Sequence, residues 1–299
     1  MKGAFGSPRC ATVDHVRGYP VYRAQKVEAA QDEVVADFAP DAVIIEGSFP
    51  VPRLETALAA RQRVVAFLRN CEWQRLGGDL PRHVNVRYAA NSQATAAAHG
   101  DRFGVDAVVI PPLVDPALYR CEPQARYVTF VNPVPEKGVD LAFAIAELCP
   151  EIEFQFIESW PRPPAEREWL KSAIDALPNV RLLPPSSDMR DIYRRTAFML
   201  VPSQWFEGWG RIVTEAQISG IPSIASNMGG LPEAVGKGGI LLPANAPAEA
   251  WAAACRQMWS DEQLYADFSK HARAHSQQND PGRLAVRLEK LVEELVNSR

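Results

Sequence analysis

The sequence predicts an α/β protein with two doubly wound, Rossmann-like domains that face a cleft, and three observations predict it. Short apolar, β-rich runs alternate with longer helix-like segments along most of the chain. A proline-rich irregular stretch, "PPLVDPALYRCEPQAR" (111–126), interrupts this alternation and separates two series of elements. The length of 299 residues suits two domains of ordinary size. Ligands of such sheets bind beyond the carboxyl ends of the strands, so the segments that follow strands matter most.

The first series predicts an N-terminal domain over residues 1–117. Its strands are expected over 41–47, 63–68, 86–92 and 106–112, and its helices over 24–39, 53–62 and 92–104. Strands that alternate with helices in this way form parallel βαβ units. The domain should therefore contain a parallel sheet.

The second series predicts a C-terminal domain over residues 118–280. Its strands are expected over 127–133, 153–159, 180–184, 197–203, 222–227 and 239–243, and its helices over 139–149, 165–177, 187–196, 211–219 and 231–236. A last helix, 281–299, has its leucines on one face and charges on the other. We expect this helix to pack back on the N-terminal domain.

Composition excludes several classes of protein. Apolar residues make up 47% of the chain and charged residues 23%, as in soluble globular proteins with a sizeable core. A net charge of −4 gives no general basis for binding nucleic acid. The five cysteines are scattered without a CxxC pair, which argues against a zinc site or a disulfide framework. Without a signal peptide or a membrane-spanning run, the chain is expected in the cytoplasm, while peripheral membrane contact and oligomeric state stay open.

The segment "PSQWFEGWGRIVTEAQ" (202–217) lies where a predicted strand gives way to a helix. Gly208 and Gly210 permit a tight turn with free backbone N–H groups at the helix start, where a diphosphate is favoured, and Arg211 could add a charge. Glu215 lies one helical turn beyond Arg211, while Glu207 belongs to the loop. One interpretation is an exposed loop with a surface Arg–Glu pair. The other is a site in which carboxylates accept hydrogen bonds from the hydroxyl groups of a sugar.

Two further segments follow predicted strands. In "VNPVPEKGVD" (131–140), Lys137 precedes Gly138 and a helix, and Asn132 stands at the strand end, so both could meet an anion. In "SNMGGLPEAVG" (226–236), Gly229 and Gly230 again offer free N–H groups, whereas Glu233 is expected to complement the dipole of its own helix from the first turn. The alternative for Lys137 is an ordinary surface turn.

Together these segments resemble one family, the retaining nucleotide-sugar glycosyltransferases of the GT-B fold, family 4-like (glycosyl transferases group 1). The family's signature is a strand that ends in Pro-Ser, a Glu before a Gly–aromatic–Gly loop, and a second Glu eight positions later. The sequence matches it at Pro202, Ser203, Glu207, Gly208, Trp209, Gly210, Glu215 and Ala216. "EKG" at 136–138 and "SGIPSIASNMGGLPEAVGKGGILLP" at 219–243 continue the match, and the resemblance covers about residues 85–299.

The resemblance implies a role for each matched residue. Glu207 would contact hydroxyl groups of the donor sugar, and Glu215 those of the ribose. Lys137 would neutralise the diphosphate with the amides around Gly208, Trp209 and Gly210, and "LLPPSSDM" (182–189), which contains Pro184, would lie beside the base. The donor would be a UDP- or GDP-sugar, and the acceptor a sugar-containing glycan, lipid-linked or small molecule. Family members generally need no metal or other cofactor, and the sequence contains no Asp-x-Asp motif.

The chain also departs from the family. Relatives usually carry an arginine about five residues before the lysine, where this chain has Asn132. The N-terminal domain looks shortened, because the first clear strand, "YPVYRA" (19–24), resembles the family's second strand and only "GAFGSPR" (3–9) could serve as its glycine-rich loop. Where many relatives carry a histidine near the reacting centre, this chain offers Arg69, Asn70 and Glu72 as candidates for the acceptor side.

The leading hypothesis is therefore a metal-independent retaining glycosyltransferase. The alternative, motivated by the short N-terminal domain and the missing arginine, is a catalytically degenerate nucleotide-sugar-binding subunit or regulator.

Overall fold

The computed structural model describes residues 11–298, so the candidate loop at 3–9 lies outside the described residues. The strands are β1 (Thr12–Asp14), β2 (Val21–Arg23), β3 (Val43–Glu46), β4 (Val64–Leu68), β5 (Val86–Ala90), β6 (Ala107–Val109), β7 (Tyr127–Val131), β8 (Phe154–Ile157), β9 (Val180–Leu183), β10 (Thr196–Val201), β11 (Ser223–Ser226) and β12 (Gly239–Leu242). The helices are α1 (Val27–Phe38), α2 (Pro50–Ala59), α3 (Gln93–Phe103), α4 (Val139–Leu148), α5 (Pro164–Asp175), α6 (Arg190–Tyr193), α7 (Arg211–Gln217), α8 (Leu231–Val235), α9 (Ala248–Ser260), α10 (Glu262–Gln278) and α11 (Pro281–Asn297).

Contacts within the chain define two compact units. Among the described residues, the smaller comprises 11–90, Ala98–Val108 and 288–298. The larger comprises Asn91–Ala97 and Val109–Arg287. The predicted domain limits, 1–117 and 118–280, stay a prediction.

The smaller unit contains a four-stranded sheet whose strands follow chain order, β3-β4-β5-β6. The pairs β3–β4 and β4–β5 are parallel, and every residue of β4 is buried. The predicted strand 19–24 coincides with β2, which pairs antiparallel with β1 in a separate two-stranded sheet. A turn in which Gly18 N donates to His15 O, 3.0 Å, joins the two strands, and a connection this short permits only antiparallel pairing.

The larger unit contains a six-stranded sheet in the order β12-β11-β10-β7-β8-β9. All of its pairs are parallel, so the carboxyl ends of the strands share one edge. The strand order reverses between β7 and β10, which is the switch point of a doubly wound sheet. The predicted fold class is thus confirmed for this unit by its own connectivity.

Alternating side chains of the six strands supply two hydrophobic cores. Phe130, Phe156 and Phe198 belong to a core with residues of α4 and α9, in which Trp251 is fully buried. Their strand neighbours Val131, Ile157 and Met199 belong to a second core with residues of α6, α7 and α8. Because successive side chains of a strand point to opposite faces, both faces of the sheet are covered by helices.

Most predicted elements of this unit end within one or two residues of the observed ones. The exception is the predicted helix 187–196, which is reduced to the single turn α6. Asp188 Oδ1 accepts a hydrogen bond from Arg190 N, 3.0 Å, and Ser186 Oγ donates to Asp188 O, 2.8 Å. Such local side-chain bonds favour a turn over a continued helix. No helix within residues 11–298 is long and apolar enough to span a bilayer.

Candidate functional site

The candidate site lies at the carboxyl edge of the six-stranded sheet, on both sides of its switch point. The loop after β7 carries Asn132 and Lys137, and the loop after β10 carries Glu207. Because β7 and β10 are parallel neighbours, both loops leave the sheet at the same edge. The fold thus brings together segments that are far apart in the sequence.

Lys137 and Glu207 form an ion pair across the switch point. Lys137 Nζ donates to Glu207 Oε1 at 2.5 Å, and Ser203 Oγ donates to the same oxygen at 2.7 Å. The side chains are 18% and 11% exposed, so the pair is largely removed from water but not sealed. At this depth the ammonium group is the counterion that makes burial of the carboxylate tolerable.

Two tryptophans flank the ammonium group of Lys137. Its Nζ lies 4.7 Å from the ring centroid of Trp205 and 5.7 Å from that of Trp160, distances at which an aromatic face attracts a cation. The two rings meet edge to face with centroids 6.3 Å apart. The two rings therefore restrict the position of the lysine ammonium group.

Glycines hold the site loops together where no other residue fits. Gly229 has φ +57°, and a Cβ there would lie 2.2 Å from Glu207 O. The next amide, Gly230 N, donates to Glu207 O at 2.7 Å, so the glycine pair fixes the backbone of the loop that carries Glu207. Gly138, beside Lys137, has φ +81° and approaches Pro202 O in the same way. The glycines at 229 and 230 thus have a packing role that the sequence did not reveal.

The rest of the loop after β10 is fixed by its own contacts. Trp209 is buried, and its indole Nε1 donates to Thr214 Oγ1 at 2.8 Å. Gly208 O accepts from Thr95 Oγ1 at 3.4 Å, and Gly210, with φ +104°, immediately precedes α7. These contacts hold the loop against the start of α7.

Glu215 lies in α7 and is 6% exposed, with both carboxylate oxygens bound by protein groups. Tyr193 Oη donates to Oε2 at 2.7 Å, and Arg211 Nε pairs with Oε1 at 2.9 Å. Burial raises the pKa of Glu215, and the hydrogen bonds from Tyr193, Tyr119 and Arg211 oppose that shift. The cost of burying this carboxylate, which we expected a ligand to offset, is therefore partly offset by groups of the protein itself.

Arg211 is 57% exposed and already engaged on both sides of its guanidinium group. Besides its ion pair with Glu215, its Nη2 donates to Tyr119 Oη at 2.9 Å. Because the carboxylate of Glu215 already balances the charge of this guanidinium group, Arg211 attracts a second anion only weakly.

Asn132 occupies a strained position at the end of β7. Its φ is +64°, and its side chain is 4% exposed. Oδ1 accepts from Trp160 N at 3.3 Å, whereas the buried Nδ2 has no partner among the described residues. One carbonyl further on, Pro133 O accepts from Arg162 Nη2 at 2.5 Å.

The remaining predicted residues lie at different places. Pro184 is exposed and directly follows β9, at the same edge of the sheet. Glu233, in α8, accepts from Gln93 N at 2.7 Å and from Ala94 N at 3.0 Å. It therefore caps α3 rather than complementing only its own helix.

The acceptor-side candidates belong to the smaller unit and follow β4. Arg69 pairs with Glu46 at 3.0 Å, and Glu72 pairs with Arg75 at 2.9 Å. Asn70 Oδ1 accepts from Glu72 N at 3.2 Å, which makes a local turn. Their part in binding an acceptor stays a prediction. Residues 11–298 contain no cluster of three or more side chains suited to hold a metal ion.

Sequence reasoning missed four side chains of the edge: Trp160, Arg162, Tyr193 and Trp205. Trp160 and Arg162 directly follow the predicted strand 153–159, and that position was a usable signal because ligands bind where such strands end. Tyr193 gave no signal, since its partner Glu215 is 22 residues away on another element.

Comparison with known proteins finds relatives for part of the chain. The family model described as glycosyl transferases group 1 matches residues 125–261. D-inositol 3-phosphate glycosyltransferase of Rhodococcus jostii (strain RHA1) is 33% identical over 172 residues, which cover 52% of this chain and 37% of the relative. The enzyme of the same name from Corynebacterium kroppenstedtii is 33% identical over 117 residues, 38% of this chain and 26% of the relative. The chain therefore spans well under half the length of these relatives.

Solved structures extend the likeness to most of the chain. Anabaena HepE, in complex with UDP-glucose, has a TM-score of 0.72 at 20% identity, covering 87% of this chain and 81% of HepE. Sucrose-phosphate synthase of Thermosynechococcus elongatus has a TM-score of 0.74 at 16% identity, covering 97% of this chain and 86% of the synthase. At this identity the likeness concerns the fold. As the motifs predicted, residues 125–261 match glycosyl transferases group 1, the relatives are glycosyltransferases, and the fold is that of the GT-B glycosyltransferases.

Proposed function

We propose that this chain transfers a sugar from a UDP- or GDP-linked donor to a sugar-containing acceptor, which is a glycan, a lipid-linked molecule or a small molecule. The bond from the anomeric carbon to the diphosphate breaks, and a bond to an acceptor oxygen forms with retention of configuration and without a metal. The observation that carries the proposal is the Lys137–Glu207 pair, 2.5 Å, at the switch point of the larger sheet. That place is where open α/β sheets bind their ligands.

The pair suits a donor because each partner matches one part of it. The ammonium of Lys137 would stabilise the departing diphosphate, an electrostatic contribution that is largest in a site shielded from water. The phosphate would compete with Glu207 for Lys137. The released carboxylate of Glu207 would then accept hydrogen bonds from hydroxyl groups of the sugar. Backbone amides of Gly208–Gly210 would contact the phosphates, Glu215 the ribose and the segment around Pro184 the base.

The alternative function is a nucleotide-sugar-binding subunit or regulator without turnover. Two observations favour it: the described sheet of the smaller unit has four strands in chain order, and Asn132 replaces the family's arginine. Donor binding in this case would be intact, because the donor residues lie in the larger unit.

A screen of UDP- and GDP-sugars with the purified protein separates the two functions. Release of UDP or GDP, with and without a chelator, reports turnover and its dependence on metal, and NMR of the product's anomeric proton reports its configuration. Calorimetric binding of a nucleotide diphosphate without release would favour the alternative. If the protein neither binds a nucleotide diphosphate nor releases one from any sugar donor, both functions are contradicted.

A further inference from the structure

Three buried nitrogen atoms around Lys137 have no hydrogen-bond partner among the described residues. They are Asn132 Nδ2, Arg162 Nε and Trp205 Nε1. An unpaired buried polar group costs about 1–3 kcal/mol, so proteins rarely retain one without a reason. All three atoms are donors, and the partner they lack is therefore an acceptor.

The three side chains belong to one cluster. Trp205 contacts the Lys137 ammonium and the ring of Trp160. The backbone N–H of Trp160 donates to Asn132 Oδ1. Arg162, two residues after Trp160, donates to the carbonyl that directly follows Asn132. The segment after β8 is thus attached to the loop after β7, and both belong to the carboxyl edge of the sheet.

Among the arginines near this edge, Arg162 is the one whose charge is not balanced by a salt bridge to a described carboxylate. Arg211 pairs with Glu215 at 2.9 Å, and Arg167 pairs with Glu158 at 3.4 Å. The hydrogen-bond partner of Arg162 is instead the neutral oxygen of Pro133. Burial lowers the pKa of Arg162 although the charges of Glu158, Glu166 and Glu136 oppose that shift, so its charged form is incompletely compensated in the folded chain.

We propose that Arg162 supplies the second positive charge for the donor's diphosphate, in place of the arginine that the sequence lacks at Asn132. This inference rests on the proposed function. On binding, the guanidinium exchanges the oxygen of Pro133 for a phosphate oxygen. A charge-assisted bond of this kind is about twice as strong as a bond to a neutral acceptor. Lys137 and Arg162 then contact the diphosphate from the loops after neighbouring strands, β7 and β8.

Calorimetric titration of UDP, GDP and the matching nucleosides tests the proposal. Arg162→Gln should weaken binding of the diphosphate by about 10- to 100-fold, the loss expected for a hydrogen bond to a charged group, and leave the nucleoside within about twofold. Arg162→Lys should recover part of the loss, because it retains the charge without the planar fork. Lys171→Gln removes a positive charge from the exposed face of α5 and should leave both affinities unchanged.

The outcomes are distinguishable. If Arg162→Gln weakens diphosphate and nucleoside equally, or weakens neither, Arg162 only attaches one loop to the other and the proposal is overturned. If Arg162→Gln does not fold, judged by its melting curve, the ratio of the two affinities in Arg162→Lys decides, since a merely structural role would leave that ratio at its wild-type value. If the unaltered protein binds neither UDP nor GDP, the proposed function itself fails.

Discussion

Lys137 and Glu207 are 70 residues apart in the chain, yet their side chains form a 2.5 Å ion pair at the edge of the larger sheet. Ser203 donates a hydrogen bond to Glu207, and Trp205 contacts the ammonium group of Lys137. Neither charge is free while the pair persists. A ligand that uses them must therefore offer Lys137 an anion and Glu207 a hydrogen-bond donor at once, which a sugar diphosphate does.

Glu207→Gln should reduce turnover by about 10²- to 10³-fold, the range found when a group that stabilises a transition state is removed. The amide of Gln can still accept from Ser203, and Lys137 keeps its contact with Trp205, so the loss of the counterion of Lys137 should lower the melting temperature less than Lys137→Met does. Release of the nucleotide diphosphate and a thermal melt measure the two effects. Glu136→Gln, an exposed carboxylate beside Lys137, is the matched control and should keep full activity. A Glu207→Gln variant with more than half of wild-type turnover would contradict the assignment.

Lys137→Met should abolish turnover and also lower the free energy of unfolding, by about 1–3 kcal/mol, because it leaves the buried Glu207 without a counterion. Adding Glu207→Gln to this variant should restore part of the stability and none of the activity. Urea denaturation of the four proteins forms a double-mutant cycle. Stability losses that simply add would show that the ion pair contributes nothing to folding.

Gly229→Ala should destabilise the loop that carries Glu207, because the new Cβ would lie 2.2 Å from Glu207 O at φ +57°. We expect a fall in melting temperature of roughly 5 to 10 °C together with loss of donor binding. Gly18→Ala is the control: φ is +81° there, and no atom lies within 4 Å of the added Cβ. Gly18→Ala introduces an alanine at positive φ, as Gly229→Ala does, but without a steric clash, and it should leave donor binding unchanged. Equal melting temperatures in the two variants would rule out the clash as the cause.

The sequence predicted the elements of the larger unit because alternation of apolar runs is a local signal, present within each strand and helix. The strand predicted at 19–24 is confirmed as β2, but its pairing with β1 in a hairpin was not predicted, because nothing in a short run states which partner it will have. For the same reason the motif loops could be found, whereas their contacts could not. Lys137 and Glu207 were both predicted, but their pairing depends on β7 and β10 being neighbours.

The partners of two carboxylates, Glu233 and Glu215, could not be predicted from the sequence either. Both were interpreted from their own segments, as a first-turn residue of its helix and as a ligand for ribose. In the fold, Glu233 caps α3, 140 residues away, and Glu215 is held by Tyr193 on a different element. The partners of a buried charge are set by tertiary contacts, and one sequence read segment by segment does not contain them.

Glu215 makes the stability of the protein depend on pH, and comparison with Glu215→Gln measures this one contribution. Burial raises its pKa above the ordinary value of 4.5, so the ionised form is less favourable in the folded chain than in the unfolded one. Its contribution to stability is therefore complete below about pH 4 and is lost as the pH rises through the raised value. Since Gln does not titrate, the melting temperature of Glu215→Gln minus that of the wild type should increase from about pH 4 to about pH 7.

Asp188→Asn provides a control of opposite sign when the pH series is extended down to about pH 2. Hydrogen bonds from Arg190 lower the pKa of Asp188 from 3.8 to about 2. A carboxylate with a lowered pKa stabilises the fold at any pH above its pKa in the unfolded chain. That stabilisation is lost as the pH falls towards the folded pKa of about 2. The melting temperature of Asp188→Asn minus that of the wild type should thus decrease from about pH 2 to about pH 4 and stay level above that, whereas the difference for Glu215→Gln increases above about pH 4. If the difference for Glu215→Gln also decreased, the hydrogen bonds from Tyr193 and Arg211 would outweigh burial, and Glu215 would be a stabilising anion in the folded protein.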